Sequence, residues 1–375
     1  KMAIFSLFQL ASVVVFALFL VGFLNILLSD KENECEMTYM FEYPQFVVSF
    51  DFIFNLLTFE PQFSGIPVLF LPGNVGSYKQ VRSMASVALR KAISSSKQGF
   101  HFDYFTVDYN DEISALFGGV LEGQTEFASS CLQVILKLYE SNFRLQSPKP
   151  TTVIVIGHSM GGVIARALLN YSQNRNIVNL IITLASPHKM PVVNLDQYFD
   201  RFYQQIDSQW SMKNINTTGI APSSKTWSNK VFITIGGGAR DILVPSALTS
   251  SPHSDIHALT TAIPGVWLST DHLCIVWCKQ LVLVLNRFLF AIVNPQTRQI
   301  TEATSEIVSL GKHFLKERSG FDLIQIPAST ITIVKFSVKN KLKQRLRRLN
   351  DMKWKTFIEI TQMRKFTSAF CSVKL

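Results

Sequence analysis

Between residues 66 and 293 the chain alternates two hydrophobic rhythms. Short apolar runs, rich in Val, Ile and Phe, occur at Pro67–Leu71, Asp103–Asp108, Thr152–Ile156, Val178–Leu184 and Val231–Ile235. Each is the length of a strand and apolar on both faces. Between them Ser77–Ser94, Gly123–Tyr139 and Gly161–Tyr171 carry apolar residues at helical spacing, with Val81, Ala85, Ala88 and Leu89 on one face. Strands buried on both sides and separated by helices predict an α/β fold, a mostly parallel sheet with helices on both faces.

The rhythm breaks in three places. Met2–Leu28 is almost wholly Phe, Leu, Val, Ala and Ile, longer than the roughly 20 residues that cross a bilayer. A secretory signal has an apolar core of about 7–15 residues and a small-x-small end. This run ends Leu27-Leu28-Ser29-Asp30, so an uncleaved transmembrane helix over residues 1–30 is expected. Lys1 stands on one side and Asp30, Glu32, Glu34 and Glu36 on the other, which places the body outside the cytosol. The sequons Asn170-Tyr171-Ser172 and Asn216-Thr217-Thr218 agree with that placement. Residues 31–65 read as a linker. Lys189–Lys230, with Tyr198, Phe199, Phe202, Tyr203 and Trp210, reads as an insertion over the sheet edge, the place for a pocket wall. Leu281–Val293 is interrupted by Asn286 and Arg287, so it is expected to be a buried helix of the body, not a second span.

Composition adds little until charge is located. The net charge of +10 resides in Lys335–Leu375, which has twelve Lys/Arg and two acidic residues; the preceding 334 residues carry 24 of each sign. The body is therefore neutral and no nucleic-acid partner is expected of it; residues 339–375 read as a basic tail, either poorly ordered or set against acidic lipid headgroups or nucleic acid. Residues 66–300 form the expected catalytic body, and 301–338 the start of a β-rich module. Cys35, Cys131, Cys274, Cys278 and Cys371 show no C-x-x-C spacing, so neither a zinc site nor a disulfide framework is readable. Cys274 and Cys278 read as two thiols on one face of a helix.

The chemistry concentrates at Val153-Ile154-Val155-Ile156-Gly157-His158-Ser159-Met160-Gly161-Gly162, a buried strand entering G-x-S-x-G and then a helix. A serine at so sharp a turn is held clear of the sheet, and Gly157 and Gly161 avoid collisions with neighbouring backbone. Ser159 is therefore the candidate nucleophile of an α/β-hydrolase fold, in which acid and then histidine follow in chain order. His272, on a loop before a long helix, is the candidate base. Asp241, ending the Gly-rich turn after Val231–Ile235, is the candidate acid. Asp271 is the rival acid, but neighbouring side chains rarely face each other. His253 and His257 fall in a polar stretch read as an exposed loop. The oxyanion donors expected are the amide of Met160 and one from the Leu71–Ser77 loop, Asn74 first and Val75 next. No metal or organic cofactor is required for such a reaction.

Three stretches are similar to one family. Gly65–Ser83, Gly157–Arg166 and Ser269–Cys278 resemble the endoplasmic-reticulum GPI inositol-deacylases, which are lipase-like α/β hydrolases, as does Cys35-Glu36-Met37-Thr38-Tyr39-Met40. The resemblance implies an esterase of the endoplasmic-reticulum membrane with a lumenal catalytic domain. It would remove the acyl chain from the inositol of GPI anchors on GPI-anchored proteins, with Ser159, Asp241 and His272 as its triad. Members of that family continue into a β-rich part and further spans, so the resemblance implies a C-terminally truncated member. The competing readings are another lipase or phospholipase of the same fold and a non-catalytic protein that binds lipid or a partner.

Overall fold

A computed structural model describes residues 14–18, 20, 35–36, 63–94, 99–140, 149–215, 229–294 and 296–316 of the chain. Its centre is a six-stranded, wholly parallel sheet. The strands are β1 (Ile66–Leu71), β2 (Phe102–Thr106), β3 (Val153–His158), β4 (Val178–Leu184), β5 (Val231–Gly236) and β6 (Ile256–Leu259), in the spatial order β2-β1-β3-β4-β5-β6. The helices between and after them are α1 (Arg82–Ser94), α2 (Leu121–Glu140), α3 (Met160–Ala167), α4 (Gln197–Ile215), α5 (Lys279–Ala291) and α6 (Thr304–Leu315).

Strand alternation divides the core into two layers. Val68, Phe70, Ile154, Ile156, Ile182 and Ile233 face one side, where α1, α5 and α6 contribute Met84, Ala88, Leu281, Leu285, Phe288 and Ile307. Leu69, Leu71, Val153, Val155, Ile181 and Phe232 face the other, against α2, α3 and α4 through Leu132, Ile135, Val163, Ile164, Ile206 and Trp210. Helices thus cover both faces, which is why the strands read as continuous apolar runs. Among the described residues this is the α/β-hydrolase fold.

The five strands expected from the pattern are present to within two residues at either end. The sixth, β6, went unread. The stretch around His253 and His257, expected as an exposed loop, contains a short edge strand whose residues alternate buried and half-buried, too brief to register against its Ser- and Pro-rich flanks. His253 is buried, and the Nδ1 of His257 bonds the Thr234 hydroxyl at 2.8 Å. Residues 304–315 are helical and not part of a β-rich module, and Gly311 lets α6 lie against Ile256. The apolar stretch at 281–291 is a buried helix. Almost all of the expected membrane anchor lies outside the described residues; residues 14–18 and 20 are helical. Among the described residues no helix is long and apolar enough to cross a membrane. The linker at 37–62, the possible β-rich segment beyond 316 and the basic tail also lie outside them.

Candidate active site

All six strands point their C-terminal ends at one edge, and the backbone is unusual along that edge. Of the seven non-glycine residues with positive φ among the described residues, six lie in segments following a strand of this sheet: Val75 after β1, Asn110 and Asp111 after β2, Ser159 after β3, Ala185 after β4 and Trp267 after β6. A β-branched or bulky side chain in this region is strained by about 1–3 kcal/mol. Such strain persists where surrounding contacts over-determine it, and it gathers at sites that act.

Ser159 is the sharpest case. At φ 53° and ψ −126° it ends β3 and precedes the first turn of α3. Its N–H donates to the Leu184 carbonyl at 2.9 Å, fixing it against β4. Space explains the glycines around it. A Cβ on Gly157 would lie 2.5 Å from the Gly161 carbonyl oxygen, and one on Gly161 would lie 2.2 Å from that of Leu71. Gly73 on the β1 loop is equally constrained, since a Cβ there would sit 2.5 Å from the Cβ of Ser159.

The other two candidates converge on this serine from separate loops. His272 Nε2 lies 2.9 Å from Ser159 Oγ, and His272 Nδ1 lies 3.1 Å from both carboxylate oxygens of Asp241. With the hydroxyl donating to Nε2 and Nδ1–H donating to the carboxylate, the ring is oriented to accept the Ser159 proton. Asp241 is fully buried at its side chain and receives a second hydrogen bond, from Val244 N–H at 2.8 Å. The rival Asp271 turns away: its Oδ1 caps the amides of Leu273 and Cys274 at 2.9 and 2.6 Å.

The acid loop is held to the base loop by Arg240 N–H, which donates to Ser269 Oγ at 2.8 Å, and by the Gly237 carbonyl. The oxygen of Gly237 accepts from Thr260 Oγ1 at 2.7 Å, Ser269 Oγ at 3.0 Å and Thr270 N–H at 2.8 Å. A second tie comes from inside the elbow. His158 Nε2–H donates to the backbone oxygen of His272 at 2.8 Å, and the two rings stand 4.9 Å apart. Burial, followed by the nearby His272, pushes His158 down to about 3, so it stays neutral. The sequence signal for His158 is its position directly before the nucleophile.

The oxyanion candidates separate. Val75 N–H donates to the Glu112 carbonyl at 3.2 Å, inside a Gly73–Gly76 turn closed by Gly76 N–H on Gly73 O at 3.0 Å. Asn74 stands before it in the same turn, its side-chain oxygen accepting from Ala115 N–H at 2.8 Å. Met160 opens α3, whose dipole favours negative charge beside Ser159.

The expected pocket wall is α4, clamped to the elbow helix. Arg166 of α3, wholly buried, donates to the half-exposed Asp207 at 2.7 Å and to the His188 carbonyl at 3.2 Å. Trp210 Nε1–H returns a bond to the Arg166 carbonyl at 3.1 Å, and the guanidinium stands 5.7 Å from the Trp210 and Phe232 rings. Around the mouth of the site the loops are apolar and open: Val75, Phe117, Val192, Leu195, Ile242, Leu243, Trp267 and Leu273 are all exposed, Ile242 by 73% and Trp267 by 69%. Single exposed apolar side chains are ordinary, but a group on the loops of one edge marks a surface that meets something apolar.

A buried serine, a partly buried imidazole and a buried carboxylate thus meet at the C-terminal edge of the parallel sheet of an α/β-hydrolase fold. Residues 62–292 match the PGAP1-like alpha/beta domain family, and the chain belongs to it. It is 40% identical over 332 residues to the GPI inositol-deacylase of Rattus norvegicus, covering 80% of this chain and 34% of that relative. It is 37% identical over 368 residues to that of Xenopus laevis, covering 91% and 37%. The chain thus spans about a third of the length of these curated relatives. Among solved structures, a Bacillus licheniformis lipase in its mature form aligns at 14% identity and a TM-score of 0.36, covering 61% of this chain and 94% of that one.

Proposed function

We propose that this chain is a serine esterase that removes the acyl chain from the inositol of GPI anchors on GPI-anchored proteins. The observation that carries the reading is the continuous hydrogen-bonded line from Ser159 through His272 to Asp241, within a domain of this family. His272 Nε2 takes the Ser159 proton as Oγ attacks the ester carbonyl, and Asp241 steadies the imidazolium that forms. The amides of Met160 and Asn74 receive the developing oxyanion. His272 returns its proton to the departing inositol oxygen, then activates water to release the fatty acid from Ser159. The chain's own residues complete every step.

The apolar rim supports a substrate drawn from a bilayer, as does the hydrophobic stretch Met2–Leu28. We place the catalytic domain in the lumen of the endoplasmic reticulum, tethered to its membrane by residues 1–30. The relatives named GPI inositol-deacylase support that placement.

An inositol freed of its acyl group becomes sensitive to a phosphatidylinositol-specific phospholipase C, which needs the 2-hydroxyl. In cells lacking inositol-deacylase activity, wild-type chain is expected to restore phospholipase release of GPI-anchored proteins, and Ser159→Ala is not. Unchanged release with retained hydrolysis of phospholipid esters would replace this reading with a general lipase. Absence of labelling by a fluorophosphonate would replace it with a non-catalytic binder.

A further inference from the structure

At the start of α5, where the His272 loop ends, three thiols meet. Cys274 and Cys278 are fully buried and Cys35 nearly so, and their sulfurs all lie within 4.8 Å of one another. The meeting is fixed by backbone as well as by packing. Lys279 N–H donates to the Glu36 carbonyl at 2.8 Å, Glu36 N–H donates to Gln280 Oε1 at 3.3 Å, and the Lys279 ammonium pairs with the Glu36 carboxylate. Residues 35 and 36 therefore run alongside the start of α5.

Two chemistries suit clustered thiols. A structural zinc takes four ligands, and among the described residues no fourth His, Cys, Asp or Glu joins these three. A disulfide needs only two. Cys274 and Cys278 are separated by one α-type turn, closed by Cys278 N–H on the Cys274 carbonyl at 2.7 Å. Such a turn sets Cβ atoms about 5–6 Å apart, beyond the roughly 3.5–4.5 Å of a disulfide. The bond therefore runs from one of them to Cys35. Cys278 is the N-cap of α5, where the helix N-terminus favours a thiolate. Hydrogen bonds from Cys274 and Cys35, with the amides of Leu281 and Gln280, hold its thiol well below the usual range. The same shared hydrogen bonds, with burial, push Cys35 up.

We propose that Cys35 and Cys278 are joined by a disulfide that ties the segment after the N-terminal hydrophobic stretch to the base of the catalytic loop, with Cys274 as an exchange thiol. The bond forms during folding, before the site closes. The Cys278 thiolate attacks a small-molecule or protein disulfide, RSSR, forming a mixed disulfide and expelling RS⁻. Cys35 then attacks the Cys278 sulfur, displacing the second RS⁻. The two thiol protons end on the two thiolates, so two protein thiols are oxidised and RSSR is reduced to two RSH. Cys274, within reach of both sulfurs, can displace Cys278 from Cys35. That exchange acts two residues from His272, where the Asp271 side chain caps the Cys274 amide. The proposal rests on the lumenal reading only for its supply of oxidant.

The test is covalent mapping of the full chain. Sealed microsomes from expressing cells are treated with external protease, then denatured in N-ethylmaleimide, and the chain is digested and analysed by mass spectrometry without reduction. The expected result is a Cys35–Cys278 peptide pair, with a minor Cys35–Cys274 pair, both lost on adding dithiothreitol. In Cys35→Ser both remaining thiols of the cluster take up maleimide and Tm falls on the order of 10 °C, as expected on opening so long a loop. Maleimide on all three cysteines of protease-protected chain overturns the disulfide while leaving the lumenal placement intact, and one equivalent of co-purified zinc overturns it in favour of a metal. If the chain is not protected, the lumenal reading fails and the purified chain is refolded with glutathione disulfide. There the same peptide pair supports the proposal, and its absence overturns it.

Discussion

The segment from Ser269 to Cys278 has two sides, and they are built differently. Toward the sheet edge it presents His272 to Ser159, held by the Gly237 carbonyl, the His158 ring and the Asp241 carboxylate. Toward α5 it presents Cys274 and Cys278 to a cysteine from the opposite end of the chain. The first side is polar and opens onto an apolar rim; the second is closed and buried. Rigidity on the second side is what permits precision on the first, because a loop fixed at its root has fewer ways to misplace an imidazole.

The largest effect should come from the catalytic side. Ser159→Ala removes the hydroxyl that His272 contacts and is expected to lower kcat by about 10⁶-fold, with fluorophosphonate labelling lost. Its Tm should stay near that of wild type, because the hydrogen bonds fixing the residue are made by its backbone. A single-turnover ester assay and a thermal melt read both. Loss of folding with loss of turnover would mean that the two sides are not separable.

A positioning change comes next. His158→Ala removes the donor to the His272 carbonyl and leaves the triad atoms chemically intact. Release of that tie should reduce kcat about 10²-fold, the cost of roughly 1 Å of misplacement, while KM for a soluble ester holds steady. His158→Gln, which retains an N–H donor, should recover part of the rate. Equal rates in the two variants would show that packing, not the hydrogen bond, matters here.

The two sides also differ in how far they could be read from sequence. The elbow is local: strand, glycine, serine, glycine and helix are contiguous, and backbone sterics alone demand small residues at 157 and 161. Asp241 and His272 are legible as loop residues after a late strand and before a helix, because the parallel sheet brings all such loops to one edge. The Val75 amide already engaged by Glu112 leaves no trace in the chain. Nor does the contact of His158 with a carbonyl 114 residues away. The cysteine cluster is the extreme case. Its spacing carries no pattern, since Cys35 joins the others through packing of segments 243 and 244 residues apart. Strand β6 was missed for a different reason: at four residues, with alternate burial on an edge, its apolar signal is too weak to rise above its polar flanks.

Acid should separate the sides through stability. His158 and His188 are wholly buried, and burial leads the causes that hold both below the usual 6.5, His158 at about 3. In the unfolded chain they bind protons near pH 6.5, whereas the folded chain binds them only at much lower pH. The unfolded state therefore takes up more protons, and stability falls as pH drops from about 6.5 toward 3. For His158 the loss on reaching the lower end should be on the order of a few kcal/mol, and His188 adds to it in the same direction. Chemical melts between pH 7 and 4 measure it, and His158→Gln should flatten the slope. A disulfide does not titrate, so the Tm difference between wild type and Cys35→Ser should persist across the same range.

The smallest effect concerns the rim, and it sharpens the contrast between an open side and a closed one. Ile242, Leu243 and Trp267 flank the acid and the approach to the base, and none is in the core. If they enter a bilayer, each contributes about 1.5–3 kcal/mol at full burial, and less for a side chain that only reaches the interface. Trp267→Ser should weaken binding to phosphatidylcholine vesicles several-fold, and the pair Ile242→Ser with Leu243→Ser should do so again. Hydrolysis of a soluble short-chain ester should be unaffected, because no triad atom moves. Co-sedimentation with vesicles, run beside the soluble assay, distinguishes this from a general loss of folding: a rim that meets lipid loses partitioning alone, whereas a rim that walls the acyl pocket loses turnover on soluble esters as chain length grows.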